Sequence, residues 1–488
     1  MLATEVLGTP GESRRTAPKV KGPGFADLVA RHPNAWMFSA LGVIFLLLGT
    51  GAVFAGAAVG AATPVAAVTS HTPTPVPTRA VPVEPAAASA LRTCTIDAAA
   101  KDPRLLTFEG SVINVTTGEV LFDRNAGTPA PPASGLKVLV AAAALATIGP
   151  GFRMTTRVFE GSDPGSIVLV GGGDPTLSAL PAGVESFYTG APKMSDLAAQ
   201  TKAAWEANHP ADPITSVILD ANYWSPSDKW DTTWNDSERT NGYQSEVTAL
   251  MVDGDRANAQ KATSPRSNDP IGRAGSAFVA ALNLGSPVTV TLGRATPGTP
   301  KLAEVSSQPI STLIGQMMPT SDNTLAEMIA RVISKESGDG GSAASLDTVI
   351  KGALVNLGLN PMGVTIRDGS GLSANNTVPP LFMAQLLAKV STGGQGLGVI
   401  KNALPIAGKT GSLAGRFTGD NAVARGHVFA KTGWIDSSRT LSGWVEAADG
   451  SVLSFAFYAL GPVKVEATDA LDTLATGLYN CGNNLSNN

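Results

Sequence analysis

No Asp, Glu, Lys or Arg occurs between Ala35 and Thr78. The front of that stretch, AWMFSALGVIFLLLGTGAVFAGAAVG, holds about 25 apolar or small residues, enough to cross a hydrocarbon core of roughly 30 Å as one helix. Arg14, Arg15, Lys19, Lys21 and Arg31 precede it, and no Lys or Arg follows until Arg79, which places the N-terminus in the cytoplasm and everything downstream outside. A cleaved signal peptide is the alternative, with AGA as its small-residue site; the long polar lead and long apolar run favour an uncleaved anchor. The next segment, ATPVAAVTSHTPTPVPTRAVPVEPAAASA, is too poor in large apolar groups to bury a core and reads as an extended spacer. The expected layout is therefore a cytoplasmic tail over 1–34, a transmembrane helix over 35–60 and a linker over 61–90, with the globular part starting near Leu91.

An apolar content of 43% supports large cores in what remains. The net charge of −4 gives no basic footprint for nucleic acid. No Cys-x-x-Cys or His-x-x-x-His pair exists, so neither a zinc site nor any other metal or cofactor is expected, and the four scattered histidines leave little material for a histidine-based triad. An extracytoplasmic compartment is oxidising, so Cys94 and Cys481 are a disulfide candidate; the other reading is two unpaired thiols. Such a bridge closes a loop of nearly 390 residues and is worth about 5 kcal/mol in the loop-entropy model.

FEGSVINVTTGEVLFDRNA (108–126) has the pattern of a hairpin around Thr117-Gly118. The following GTPAPPASGLKVLVAAAALATIG switches to a helix, with Ser134 in a capping position and Gly149-Pro150 as the stop. Strand-like runs separated by turns fill 151–300, and three helices follow after 300. RGHVFAKTG, RTLSGWVEAA and SVLSFAFYAL then read as three hairpin-linked strands before a last helix. Strands at both ends with helices between them predict an α+β architecture: an antiparallel sheet with helices on its faces, and a β-rich insertion.

SGLK (134–137) is the only Ser-x-x-Lys in the chain. It opens a very apolar helix, with Lys137 one turn after Ser134 on the same face. A desolvated amine there can take the serine's proton, and the helix N-terminus favours the developing oxyanion. In isolation a serine cap followed by a snorkelling lysine is the better explanation of the tetrapeptide. SDN (321–323) precedes a later helix and, alone, reads as a cap. Lys-Thr-Gly occurs at 409–411 and again at 431–433.

Ser-x-x-Lys, then Ser-Asp-Asn, then Lys-Thr-Gly, in that order, resembles the motif set of penicillin-recognising acyl-serine transferases. GGGDPTLS (171–178), LDANYW (219–224), RDGSGLS (367–373) and LPIAG (404–408) narrow the resemblance. The chain is similar, from about Leu91 to its end, to the D-alanyl-D-alanine carboxypeptidase/endopeptidase family of class C, type-4 penicillin-binding proteins. The resemblance implies a transpeptidase-like fold: an antiparallel five-stranded sheet flanked by helices in a catalytic region over 91–150 and 301–484, interrupted by inserted β-rich material over 151–300. It also implies Ser134 as nucleophile, Lys137 as general base, Ser321 and Asn323 as proton relay and substrate holder, and Lys431 with Thr432 at the substrate carboxylate. Gly433 would let the strand approach, and the N–H groups of Ser134 and Trp434 would form the oxyanion hole. Peptidoglycan stem peptides become the expected substrates and β-lactams the covalent inhibitors.

GHVFAKTG alternates into Lys431 as a strand does, whereas Lys409 sits among Pro405, Gly408, Gly411 and Gly415, which is turn chemistry, so Lys431 is the expected functional copy. Trp434 stands where members usually carry a small or hydroxyl residue, Ala374 where an Arg is frequent, and Asp436 where a Gln occurs. Asp220 is a candidate for holding an amino group of the stem peptide, and equally a strand-end turn residue. The expected activity is a membrane-anchored, extracytoplasmic serine D-Ala-D-Ala carboxypeptidase, with or without D,D-endopeptidase action. A β-lactamase-like hydrolase and a catalytically weak wall-binding protein are the alternatives.

Overall fold

The computed structural model describes residues 91–487. The transmembrane helix expected over 35–60, with its tail and linker, lies outside the described residues. In chain order the first sheet elements are β1 (Thr107–Asn114) and β2 (Val120–Arg124), followed by helix α1 (Leu136–Thr147). The insertion contributes β3 (Thr155–Glu160), β4 (Ser166–Val170), α2 (Met194–Asn208), β5 (Ser216–Asp220), α3 (Pro270–Leu282), β6 (Thr289–Leu292) and β7 (Lys301–Ser306). Helices α4 (Ile310–Thr320), α5 (Asn323–Glu336), α6 (Leu346–Asn356) and α7 (Pro380–Thr392) come next. Strands β8 (Val428–Ile435), β9 (Ser438–Glu446) and β10 (Val452–Leu460) and helix α8 (Ala467–Cys481) complete the order.

The first and last parts of the chain share one antiparallel sheet, ordered β2-β1-β10-β9-β8. Its central strand β10 is buried on both faces, and its side chains divide by parity as a pleated strand requires. Phe455, Phe457 and Ala459 pack with Leu471, Leu474 and Leu478 of α8. Ala456 and Tyr458 face the opposite core, built from α1, α4, α5, α6 and α7. Helix α1 sits at the centre of that second core, with every residue from Leu136 to Leu145 buried. Its all-round apolar sequence suits no other place, and each Leu or Val removed from water there contributes about 1.5–3 kcal/mol. The fold is α+β, as the residue pattern implied.

The insertion forms its own five-stranded sheet, ordered β6-β5-β4-β3-β7. Strands β4, β5 and β6 are parallel to one another, which their crossover helices α2 and α3 require, while β3 pairs antiparallel with β4 and β7. The strand-like runs of 151–300 are thus half parallel, which their spacing alone did not reveal.

Cys94 and Cys481 are joined by a disulfide across 387 residues of sequence, tying the start of the described chain to the end of α8. Cys94 also accepts from Ser486 N and donates to Asn484 O, so both chain ends are stitched together. Replacing either cysteine by serine should lower stability by about 2–5 kcal/mol, and replacing both should cost the same rather than double. Urea unfolding without reductant measures this; equal midpoints for wild type and variants would show that the bridge does not constrain the chain.

Candidate active site

The site is assembled on the exposed edge of the first sheet. A residue in an antiparallel strand aims its N–H and C=O to one side, and its neighbour aims them to the other. Ala430 N donates to Pro405 O (3.0 Å) and Ala407 N to Val428 O (2.9 Å), so residues 428 and 430 of β8 face outward, away from β9. By alternation Thr432 and Trp434 also aim their backbone groups outward, and here the covering loop has already turned away through Gly408 and Gly411, both at positive φ. The N–H of Trp434 is therefore on the open side of the sheet, where an oxyanion donor has to be.

Ser134 occupies a single 3-10 turn, Ala133–Gly135, immediately before α1. It makes no capping hydrogen bond, contrary to the reading of it as a helix cap. Ala133 has φ +47, a left-handed geometry that costs a non-glycine residue and persists only when the surroundings enforce it. Three elements do so. Thr440 Oγ1 of β9 donates to Pro132 O (2.9 Å). Gly433 and Gly371 press on the turn so closely that an added Cβ would lie 2.8 Å from Pro132 O and 1.9 Å from Ala133 O, respectively.

Lys137 is completely buried one turn later. Its Nζ lies 2.9 Å from Ser134 Oγ, 2.7 Å from Asn323 Oδ1 and 2.6 Å from Ser370 O. Burial pulls its pKa down to about 8, against the opposing fields of Asp368, Glu327 and Asp322. Lys431, equally buried, donates to Ser321 Oγ (2.8 Å) and Thr432 O (2.9 Å), and burial followed by the charge of Lys137 holds its pKa well below the usual lysine value. Ser321 joins α4 to α5 in the left-handed conformation, φ +57.

Asp322 caps α5 through Leu325 N (3.0 Å), and its other oxygen accepts from Tyr188 Oη (2.9 Å) and Arg256 Nη2 (2.6 Å), both from the insertion. Burial alone would raise the Asp322 carboxyl; Arg256 and Arg266 overcome it and hold it below the usual range. The RDGSGLS loop is held by two more buried carboxylates. Asp368 accepts from Gly371 N, Ser373 N, Asn376 Nδ2 and Trp234 Nε1 at 2.7–2.8 Å. Glu327 accepts from Gly369 N (2.9 Å) and Ser370 N (2.7 Å), which aims the Ser370 carbonyl at Lys137. Burial, then the neighbouring Asp368, pushes the Glu327 pKa up to about 7.

Ser134, Ser321, Asn323, Thr432, Gly433 and Trp434 line a cleft of about 700 Å³, with Lys137 and Lys431 beneath its floor. Asp220 is not brought there. It ends β5 in the second sheet, and its carboxylate is filled by Asn222 N and Nδ2 (2.9 Å each) and Ala295 N (2.8 Å), so it serves as a turn residue and not as an amine receptor. Lys409 is exposed in a turn, yet its loop reaches the cleft through Ser412, whose Oγ lies 2.8 Å from Thr432 Oγ1. Glu327, Arg256, Tyr188 and Ser412 were missed by sequence reasoning. Only Glu327 left a trace there, four residues after Asn323 and hence on its helix face.

A serine in the cleft bonded to a buried lysine beneath a sheet edge, with a second serine bonded to a second buried lysine, defines the penicillin-recognising serine acyl-transfer class. The family model for D-Ala-D-Ala carboxypeptidase 3 (S13) matches residues 93–265 and 256–478, and the chain belongs to that family. It is 34% identical over 410 residues to carboxypeptidase DacB of Mycolicibacterium smegmatis, covering 82% of this chain and 87% of that one. It is 27% identical to a D-alanyl-D-alanine carboxypeptidase of an Actinomadura species, over 77% of this chain and 82% of that one. The fold matches penicillin-binding protein 4 of Haemophilus influenzae with TM-score 0.62 at 19% identity, over 76% of this chain and 95% of that one.

Lys137 accepts a proton only when neutral, so acylation of Ser134 by a fluorescent penicillin should rise about tenfold from pH 7 to pH 9. Glu327→Gln removes a negative charge that favours protonated Lys137, so the midpoint should move to lower pH; an unmoved midpoint in a folded variant would refute the coupling. Gly371→Ala should abolish acylation, because its Cβ has no room against Ala133.

Proposed function

We propose that the protein carries out the serine-type D-Ala-D-Ala carboxypeptidase reaction of its family through an acyl-enzyme on Ser134. The observation that carries this reading is the set of three partners around Lys137 Nζ. A neutral amine has two N–H groups and one lone pair. Asn323 Oδ1 and Ser370 O can only accept, so they take both N–H groups and leave the lone pair facing the Ser134 hydroxyl.

Ser134 Oγ attacks the carbonyl of the penultimate D-alanine as its proton passes to Lys137. The N–H groups of Ser134 and Trp434 take the tetrahedral oxygen; one such donor is typically worth about 3 kcal/mol. The C–N bond breaks as Ser321 delivers a proton to the leaving D-alanine, and Lys431, hydrogen-bonded to Ser321 Oγ, restores it; the proton that Lys137 took from Ser134 then replaces the one Lys431 gave up, which leaves Lys137 neutral for the second half-reaction. Water then attacks the acyl-enzyme with Lys137 again as base. Thr432 meets the terminal carboxylate, and Asn323 holds the substrate amide. D,D-endopeptidase action on cross-links, and covalent inhibition by β-lactams, use the same steps. A structure of the Haemophilus influenzae penicillin-binding protein 4 with a novel β-lactam supports the latter for this fold.

The catalytic region works outside the cytoplasmic membrane on peptidoglycan stem peptides, anchored by residues 35–60. The Cys94–Cys481 disulfide and the one-sided Lys/Arg distribution around 35–60 support this placement.

The protein should label stably with a fluorescent penicillin and release D-alanine from a pentapeptide ending in D-Ala-D-Ala. Fast loss of label without peptide cleavage would indicate a β-lactamase instead, and no label a wall-binding protein. Ser134→Ala and Lys431→Ala should abolish both activities while Lys409→Ala leaves them; the reverse result for the two lysines would overturn the assignment.

A further inference from the structure

Among the described residues, the rim of the cleft along β8 and β9 carries one cation without a hydrogen-bond or ion-pair partner. Arg416 and Arg439 both line the cleft. Arg416 is committed to Asp472 (2.6 Å) and to Thr468 O (3.2 Å). Lys431 spends its donors on Ser321 and on Thr432 O beneath the floor. Arg439 makes no side-chain hydrogen bond or ion pair among the described residues, and its Nε is buried without a partner. Burial, then repulsion from Arg416, lowers its pKa, with Glu466 opposing. A guanidinium left partly desolvated and unpaired is costly unless a ligand completes it.

Its direction is fixed. Arg439 is the cross-strand partner of Trp434, and its guanidinium lies over the indole, 5.0 Å from the ring centroid. Directly opposed residues share a face of an antiparallel pair, and Thr432, two residues before Trp434, is on that face too. The Thr432 hydroxyl, the Trp434 ring and the Arg439 guanidinium thus form one row, beside the backbone edge at which the substrate chain would pair. The diagonal from residue 439 to residue 432 is about 7–8 Å between backbones, within reach of an arginine.

We propose that Arg439, held by Trp434, is a specificity-determining residue that binds the carboxylate on the carbon bearing the leaving nitrogen. Trp434 removes the small or hydroxyl group expected beside Lys-Thr-Gly and supplies a platform for a guanidinium in its place. A guanidinium meets a carboxylate with two parallel hydrogen bonds, which a single hydroxyl cannot do. The inference rests on the carboxypeptidase reading, because it takes the terminal D-alanine carboxylate as the ligand.

The test compares two peptides that differ only at their end, diacetyl-Lys-D-Ala-D-Ala and its C-terminal amide. Wild type should prefer the acid. Arg439→Gln should lower kcat/KM for the acid roughly 10- to 100-fold, mainly through KM, and leave the amide within about twofold. Arg439→Lys should recover part of the loss. A fluorescent penicillin and its methyl ester repeat the comparison for acylation alone, with thermal midpoints confirming that each variant is folded. Equal losses on acid and amide, or no loss on the acid, would overturn the proposal. Wild type that labels with penicillin but releases neither D-alanine from the acid nor D-alaninamide from the amide would instead sink the carboxypeptidase reading, and the penicillin pair would still decide for or against Arg439.

Discussion

The arrangement of the catalytic region depends on keeping one lysine amine dry. Lys137 sits in the first turn of a helix whose other nine residues from Leu136 to Leu145 are buried and apolar. A charge in such a place is expensive, and the protein meets the cost in two ways. Three oxygen atoms saturate the amine, and the surrounding burial shifts it toward its neutral form. The same two features make it a base near neutral pH, since an amine left at its ordinary value would hold its proton. Every motif segment can be described by what it does for that nitrogen. Ser134 faces its lone pair, Asn323 and Ser370 occupy its hydrogens, and the charge it takes up lowers the pKa of the buried Lys431.

The insertion is part of this construction. Two of the three segments that hold the site are themselves held by residues between 188 and 256. Tyr188 and Arg256 fix Asp322 at the start of α5, and the Arg256 guanidinium is packed 4.4 Å from the Phe187 ring centroid and 4.6 Å from that of Tyr188. Trp234 donates to Asp368 inside the loop that carries Ser370. The buried Arg256–Asp322 pair is a poor source of net stability but an effective way to fix one backbone geometry, here the left-handed Ser321.

Sequence reasoning found the parts whose signal is local. The order of the three motifs, the alternating strand into Lys431 and the uniformly apolar α1 each follow from short-range rules. What it could not reach were contacts set by register and topology. Asp220 reads equally as an amine holder and as a strand-end turn residue; Asn222, two residues on, fits the second, but nothing near it announces the distant Ala295 as a partner. Glu327 lies on the Asn323 face of a helix, but its function comes from a loop more than forty residues on. The row of Thr432, Trp434 and Arg439 exists only once the β8–β9 hairpin is known to turn at Asp436-Ser437.

The two Lys-Thr-Gly copies show how little a tripeptide decides without its backbone. At 431 the segment is strand, so consecutive residues alternate, and Lys431 enters the core while Thr432 lines the cleft. At 409 positive φ at Gly408 and Gly411 breaks that alternation, and Lys409 is left in solvent. The second copy still shapes the site. Its loop pairs with β8 through residues 405 and 407 and then departs, which covers the strand up to Ala430 and leaves Thr432 and Trp434 open. Only those two residues of β8 therefore turn backbone groups outward beside Ser134, and Thr432 O already accepts from Lys431 Nζ. An edge that short leaves room to pair with little more than the two residues flanking the broken bond, which suits cleavage at the end of a peptide, and the side chains at 432, 434 and 439 lie beside it.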